Sequence, residues 1–400
     1  VTHADPEPPP HTVDFPFPHH DGLGPLPEFA HLRREAPCAR IRLPSGDPAW
    51  LVTRYADVRT VLADPRFSRR RATQGTGPRI ARVPTLPDSI LAADPPEHSR
   101  LRKLVAPAFT VRRAEAMRRD VALLVDELLS TLAAHDRPAD LVALLARPLP
   151  LAVICDLLGI PRQNGDRLDT WCDRLRNLTA SSDTEVTAAV GEMTGYLSAL
   201  VDAKRRHPGN DLLSTLISAR DEDDRLSQDE LISFGLVLLA GGYGTTADRL
   251  AGMAHLLLDE PQRYERLRRE PDTIPKAVEE LLRYAQTNVQ ANLRVATEEV
   301  ELGGNTIAEG DAVMAVNSSA NHDETVFENP SLLDLDRDRN PHMGFGHGVH
   351  HCVGAQIARV QLQEALAGLV RRFPDLRAAA PPEWKTGLKT RAPRSLLVTW

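Results

Sequence analysis

The sequence predicts a mainly α protein with a minor β portion, and three observations lead there. Apolar residues recur at helical spacing through most of the chain, with the longest runs at 114–134, 228–260 and 355–372. Strand-like segments are short and confined to residues 38–53 and to the stretch after Arg294. No linker and no internal repeat interrupts residues 40–400. A single domain over 19–400 is therefore expected. The segment 1–18, rich in proline and histidine and without an apolar core, reads as disordered.

Composition is that of an ordinary globular chain, with 42% hydrophobic and 26% charged residues among 400. A formal net charge of −7 argues against a nucleic-acid partner. The run Ile232 to Ala240 is too short to cross a bilayer and is interrupted by Gly235, so no membrane partner is expected. Residues 1–18 carry neither a signal peptide nor an anchor, which implies a cytoplasmic location. Cys38, Cys155, Cys172 and Cys352 form no Cys-x-x-Cys pair and should stay reduced.

Taken in order, Leu26 to Glu35 reads as a short helix. Cys38–Leu43 and Ala49–Thr53 read as strands joined by a Pro-Ser-Gly-Asp-Pro turn. Tyr55 to Ala63 is helical, with Val58, Val61 and Leu62 on one face, and stops at Asp64-Pro65. Arg69 to Ala93 has little periodicity and reads as a long functional loop. Helices follow at Leu101–Ala108, Ala114–Ala134 and Leu151–Leu158, the last ended by Gly159 with Pro161 beyond. Two more flank Thr179–Thr184, a stretch suited to a lid; the sequon Asn177-Leu178-Thr179 reads as polar loop.

Ser227-x-x-Glu230 is a capping box that opens one long helix running to Glu260-Pro261, roughly 48 Å at about 1.5 Å per residue. Its centre is Gly241-Gly242-Tyr243-Gly244-Thr245-Thr246, whose three glycines cost about 3 kcal/mol against alanines. A flat ligand approaching closely, or a local widening of the helix, would offset that cost. Beyond Arg294, short strands such as Val313–Ala315 interleave with loops. Ala355 to Arg372 is the last long helix and stops before Phe373-Pro374.

The stretch Phe345-Gly346-His347-Gly348-Val349-His350-His351-Cys352-Val353-Gly354 delivers one cysteine to the head of that last helix. Unpaired N–H groups and the positive end of the helix dipole favour a thiolate there, the form that ligates metals. Gly346, Gly348 and Gly354 let the backbone turn sharply or lie against a flat partner. Phe-Gly-x-Gly-x-His-x-Cys-x-Gly resembles the haem-binding loop of the cytochrome P450 family and matches it at every fixed position. The resemblance implies the cytochrome P450 fold and haem b (iron protoporphyrin IX), with the Cys352 thiolate as axial metal ligand. A zinc site is the rival, since His342, His347, His350 and His351 crowd the cysteine. It leaves Phe345, the glycine frame and the glycine-broken helix without a purpose.

Other segments carry the same resemblance. His98 and Arg102, four apart in the stretch Asp94 to Arg102, match the family's cationic contacts to the haem propionates. Arg294 and His350 match two more, and Phe345 joins them among the cofactor-binding residues. Glu280-Leu-Leu-Arg283 is by spacing an ordinary ion pair on one helix face; by resemblance it locks with a later arginine, Arg337, and braces the cysteine loop. Thr245 falls on the threonine that directs protons in the family's oxygen-activating stretch, and is the implied catalytic residue. The family places Asp or Glu just before that threonine; here the position is Gly244.

The implied function is a haem-thiolate monooxygenase using O2 and externally supplied electrons to hydroxylate or otherwise oxidise a small molecule, in secondary metabolism. No flavin or ferredoxin domain is fused to the chain, so a separate ferredoxin and ferredoxin reductase are the expected partners. Arg359, Lys103, Arg112 and Arg113 offer a basic docking face. By resemblance the pocket draws on Arg69–Ala93, the region around Thr179, residues 239–246, Thr287–Asn292 and Lys389–Arg391. Thr287, Asn288, Gln290 and Asn292 make it polar, which suits a polyketide or peptide-like substrate with several hydrogen-bonding groups. Two alternatives remain open: an oxidative coupling or ring-forming enzyme without net oxygen insertion, motivated by Gly244, and a non-catalytic haem sensor.

Overall fold

Residues 13–17, 22–43, 45–73, 89–176, 182–223, 226–285, 287, 292–385 and 391–400 are described here from a computed structural model. The helices are α1 (Pro27–Glu35), α2 (Tyr55–Ala63), α3 (Glu97–Val105), α4 (Val111–Ala134), α5 (Pro148–Leu158), α6 (Gly165–Arg176) and α7 (Asp183–Arg206). They continue with α8 (Leu212–Asp223), α9 (Gln228–Gly242), α10 (Gly244–Asp259), α11 (Pro261–Arg269), α12 (Ile274–Tyr284), α13 (Asn317–Ala320) and α14 (Ala355–Arg372). The main sheet uses β1 (Val13–Asp14), β2 (Cys38–Arg42), β3 (Pro48–Val52), β4 (Phe67–Ser68), β6 (Asn292–Ala296) and β9 (Ala312–Ala315), with β5 (Ala139–Asp140) lying in a smaller sheet and β7 (Val300–Leu302) paired with β8 (Asn305–Ile307).

The helix ends follow their local chemistry. Ser182 and Ser227 both close capping boxes, with Glu185 and Glu230, and Gly159 ends α5 in the left-handed region at φ 62°. The third helix begins at Glu97, four residues before the apolar signal at Leu101, because Pro96 sets the N-cap and the polar first turn hides the period. That extension brings His98 and Arg102 onto one helix.

The long helix expected from Ser227 to Glu260 is divided. Tyr243, at φ −80° and ψ −76°, separates α9 from α10. The hydroxyl of Thr245 donates to the Gly241 carbonyl at 2.5 Å, a side-chain bond that competes with the helical ladder. Tyr243 is meanwhile drawn out of line, its hydroxyl donating to Asp169 of α6 and accepting from Arg147. The two helices together span 32 residues, apolar and long enough to cross a membrane, although 56% of the apolar window is buried inside the protein. They pack against α5, α6, α7 and α14, so the apolar surface belongs to the core.

The principal core is helical. Leu362, Leu366, Leu369 and Val370 of α14 join Val121, Val125, Leu129 and Leu132 of α4 in one buried cluster. The six-stranded sheet has the order β1-β2-β3-β9-β6-β4. Strands β2 and β3 form the antiparallel pair expected from the turn between them, while β3 and β9 run parallel. At the far edge Ser68 lies opposite Val295 and Phe67 opposite Ala296. This register sets Arg69, at the end of β4, close to Arg294 on β6.

Candidate active site

The cysteine loop is shaped by two left-handed glycines, Gly346 at φ 79° and Gly348 at φ 70°. Gly348 also lies against the end of α2, where an added Cβ would sit 2.3 Å from the Leu62 carbonyl oxygen. The Cys352 N–H donates to the Phe345 carbonyl at 2.9 Å, closing the loop on itself. Gly354 caps α14 at φ −81°, and a Cβ there would meet nothing within 4 Å.

Cys352 is exposed, yet burial of its surroundings pushes the thiol pKa up. A sulfur that is both reachable and desolvated lines an internal recess rather than the outer surface. The Gly354 N–H, Arg102 and Arg359 pull in the opposite direction, toward the thiolate. The Gly354 N–H is the kind of contribution the position ahead of a helix leads one to expect, the two arginines add to it, and desolvation outweighs all three.

Cations converge on the same recess. His98 is buried, its ring packs on His350 with centroids 4.3 Å apart, and its Nδ1 has no hydrogen-bond partner. Burial, then Arg294, His98, Arg69 and Arg102, depress the His350 pKa to about 2. Burial and Arg69 bring Arg294 down to about 9, with Asp94 opposing. Burial also lowers Arg102, and Cys352 opposes it. Among the described residues Asp94 is the one acid acting on Arg69, Arg294 and His98, and it is already engaged by the Arg69 N–H at 2.8 Å and the Ser68 hydroxyl at 2.5 Å. Three arginines short of counter-charge, beside two neutral imidazoles, are the chemistry of an anion site. Haem, with two propionates, fits it.

The threonine side of the site is equally legible. From Tyr243 to Leu258 the chain is buried or half-buried except at Thr245, which is exposed. Gly241, also exposed, would carry a Cβ with nothing within 4 Å. Gly244 is buried and supplies no carboxylate. The acid one turn on, Asp248, is tied to Lys385 at 2.6 Å.

Behind the loop, Glu280 is fully buried and saturated. Arg283 donates to both its oxygens at 2.7 Å, Arg337 adds a bond at 3.0 Å, and Asn340 and the Asp334 N–H complete the set. Arg283 and Arg337 in turn donate to the carbonyls of Asn321, Pro330, Leu332 and Glu328. The histidines around Cys352 do not assemble a zinc site. His342 is committed to Glu279, His350 stacks on His98, and His347 meets Arg59. Among the described residues no group of three or more His, Cys, Asp or Glu side chains is placed to hold a metal ion.

The family model named Cytochrome P450 matches residues 195–379. Nocardicin C N-oxygenase from Nocardia uniformis subsp. tsuyamanensis is 46% identical over 394 residues, covering 97% of this chain and 99% of that protein. The chain belongs to the cytochrome P450 family. Among solved structures, the LnmA cytochrome P450 hydroxylase of the leinamycin biosynthetic pathway of Streptomyces atroolivaceus is 45% identical, with a TM-score of 0.89 over 97% of this chain and all of that one. Cytochrome P450mel 107F1, described as having biaryl coupling reactivity, is 41% identical with a TM-score of 0.92, covering 97% of this chain and 100% of that one. The mainly α architecture is thus the P450 fold, membership implies haem held by a cysteine thiolate, and the chain is an enzyme of P450 type.

Within this P450 the sequence reading missed Arg69 as a cation of the site, having placed it only in a pocket-lining loop. Its signal was present, since it directly precedes a run of arginines at the end of a strand, but only the β4–β6 register brings it to Arg294. Of the residues offered for a basic docking face, Arg359 is part-buried and paired with Glu279, whereas Lys103, Arg112 and Arg113 are exposed. Of the polar pocket residues, Thr287 is buried and its carbonyl accepts the Arg391 N–H at 2.9 Å. Asn288, Gln290, Lys389, most of Arg69–Ala93 and the stretch around Thr179 lie outside the described residues, as do the side chain of Asn292 and the segment 1–12.

Proposed function

We propose that this P450 is a haem-thiolate monooxygenase that oxidises a polar natural product, with Cys352 as the axial ligand of haem b. The observation that carries the proposal is the recess where a reachable, desolvated cysteine meets a cluster of cations short of counter-charge. His98, Arg102, Arg294, His350 and Arg69 would hold the propionates, and Phe345 would support the loop beneath the ring. Thiolate-ligated haem supplies activation of O2 with two external electrons.

The chain's own residues then control protons and water. The Thr245 hydroxyl donates to Gly241, which leaves its oxygen free to accept a hydrogen bond from a water or a substrate group and so to orient that proton donor. With glycine at position 244 and Asp248 bound to Lys385, protons reach that oxygen through water or a polar group of the substrate. Relatives named for nocardicin C and for the leinamycin pathway support a natural-product substrate. Electrons come from a separate ferredoxin and its reductase in the cytoplasm, docking at the face that carries Lys103, Arg112 and Arg113.

The test is the absorption spectrum of the reduced, carbon-monoxide-bound protein. Wild type should show a strongly red-shifted Soret band, and Cys352→Ala should lose it. A wild-type protein without haem absorption under adequate iron supply overturns the reading. Gly244 also favours a second outcome on the same fold, oxidative coupling without oxygen insertion. Product mass separates the two, since insertion adds an oxygen atom and coupling removes hydrogens.

A further inference from the structure

A second carboxylate sits beside the cysteine loop, and bracing does not account for it. Glu279 of α12 takes Arg359 of α14 as a bidentate pair, Nε at 2.7 Å from Oε1 and Nη2 at 2.8 Å from Oε2. The same carboxylate accepts from Nε2 of His342 at 3.0 Å. Nδ1 of that ring accepts the Gly344 N–H at 3.0 Å, which fixes the ring proton on Nε2. The Arg359 guanidinium also lies over the Phe345 ring, 4.6 Å from its centroid, and the Phe345 carbonyl holds the Cys352 N–H.

The neighbouring Glu280 already ties α12 to the segment 328–340, with every oxygen occupied. What Glu279 adds is charge. Burial would raise its pKa, but the Arg359 and His342 hydrogen bonds hold it at about 2, so it is ionised at neutral pH. Through Phe345, whose ring Arg359 covers and whose carbonyl holds the Cys352 N–H, the Glu279–Arg359 pair is set against the cysteine loop.

We propose that Glu279 is a positioning residue that sets the electron-donating strength of the Cys352 thiolate, by pinning Arg359 in place and cancelling its charge. The proposal rests on Cys352 being the haem ligand. An uncancelled cation beside the sulfur draws electron density from it and favours the reduced iron. An uncancelled carboxylate does the reverse. A merely structural pair has no such sign.

The experiment is a redox titration of the haem-loaded protein as wild type, Glu279→Gln, Arg359→Gln and the double variant. Glu279→Gln should shift the ferric/ferrous potential positive and Arg359→Gln should shift it negative. The double variant, with the pair's net charge again zero, should return toward wild type. Single variants that move together, or stay at the wild-type value, overturn the proposal. If Glu279→Gln takes up no haem, Arg359→Lys decides alongside Arg359→Gln. Lysine keeps the charge and should stay near wild type while glutamine moves negative; an unmoved Arg359→Gln overturns it. A wild type without the red-shifted carbon-monoxide band overturns the ligand assignment itself, whereas a normal band with unmoved potentials overturns only the role of Glu279.

Discussion

Thr245 and His322 show how single side chains tie this fold to its chemistry. Thr245→Val keeps the volume and removes the hydroxyl that faces the recess. Product formed per electron consumed should fall, with hydrogen peroxide making up the balance, and a ratio equal to wild type would remove Thr245 from proton handling. His322 is buried and donates from Nδ1 to the Ser318 carbonyl at 3.0 Å. Burial lowers its pKa from 6.5 to about 3, with Arg283, Arg33 and Arg337 adding to the effect. The folded protein therefore keeps it neutral while the unfolded chain takes a proton below its own pKa. Stability should decline as pH falls from about 6.5 toward 3 and be unaffected by this group above that window. Denaturant midpoints between pH 7 and pH 4 check the sign, and His322→Gln should flatten the slope. The motif residues at this scale were readable in the sequence because a fixed spacing names them. Arg69 and Glu279 were not, since the first of three consecutive arginines and one of two adjacent glutamates carry no spacing that singles them out.

At the scale of elements, caps and periods were the readable part. The capping box at Ser227 gave the start of α9 to the residue. Ser227→Ala should cost about 1 kcal/mol, read as a lower denaturant midpoint with unchanged slope. The division of the long helix was hidden because a glycine-rich, apolar stretch still scores as helix. What breaks it is a contact network: Tyr243 reaches Asp169 and Arg147, whereas Thr245 takes the Gly241 carbonyl. Tyr243→Phe leaves the Asp169–Arg147 pair intact but frees α6 from the break. Amide exchange in α6 should rise while exchange in α14 stays as in wild type.

For the molecule as a whole, the ion-pair cluster around Glu280 holds α12 against the segment 321–340 that leads into the cysteine loop. It joins α12 to a loop segment about 50 residues downstream through a carboxylate with no exposure and two buried arginines. Arg283→Ala leaves that carboxylate half-paired in the interior, and should destabilise the protein by about 3–5 kcal/mol with loss of haem loading. A variant that melts like wild type would reduce the pair to the ordinary helix-face contact its spacing suggests. The sequence by itself determined the class, the position of most helices, the cysteine motif and the missing acid at Gly244, because periodicity, caps and a ten-residue motif are local properties of the chain. Only the tertiary structure decided that Arg69 joins the cation cluster, that Arg359 is spoken for by Glu279, and that desolvation outweighs the helix at Cys352. Those depend on which surfaces meet across hundreds of residues, and electrostatics in a buried recess is set by neighbours in space.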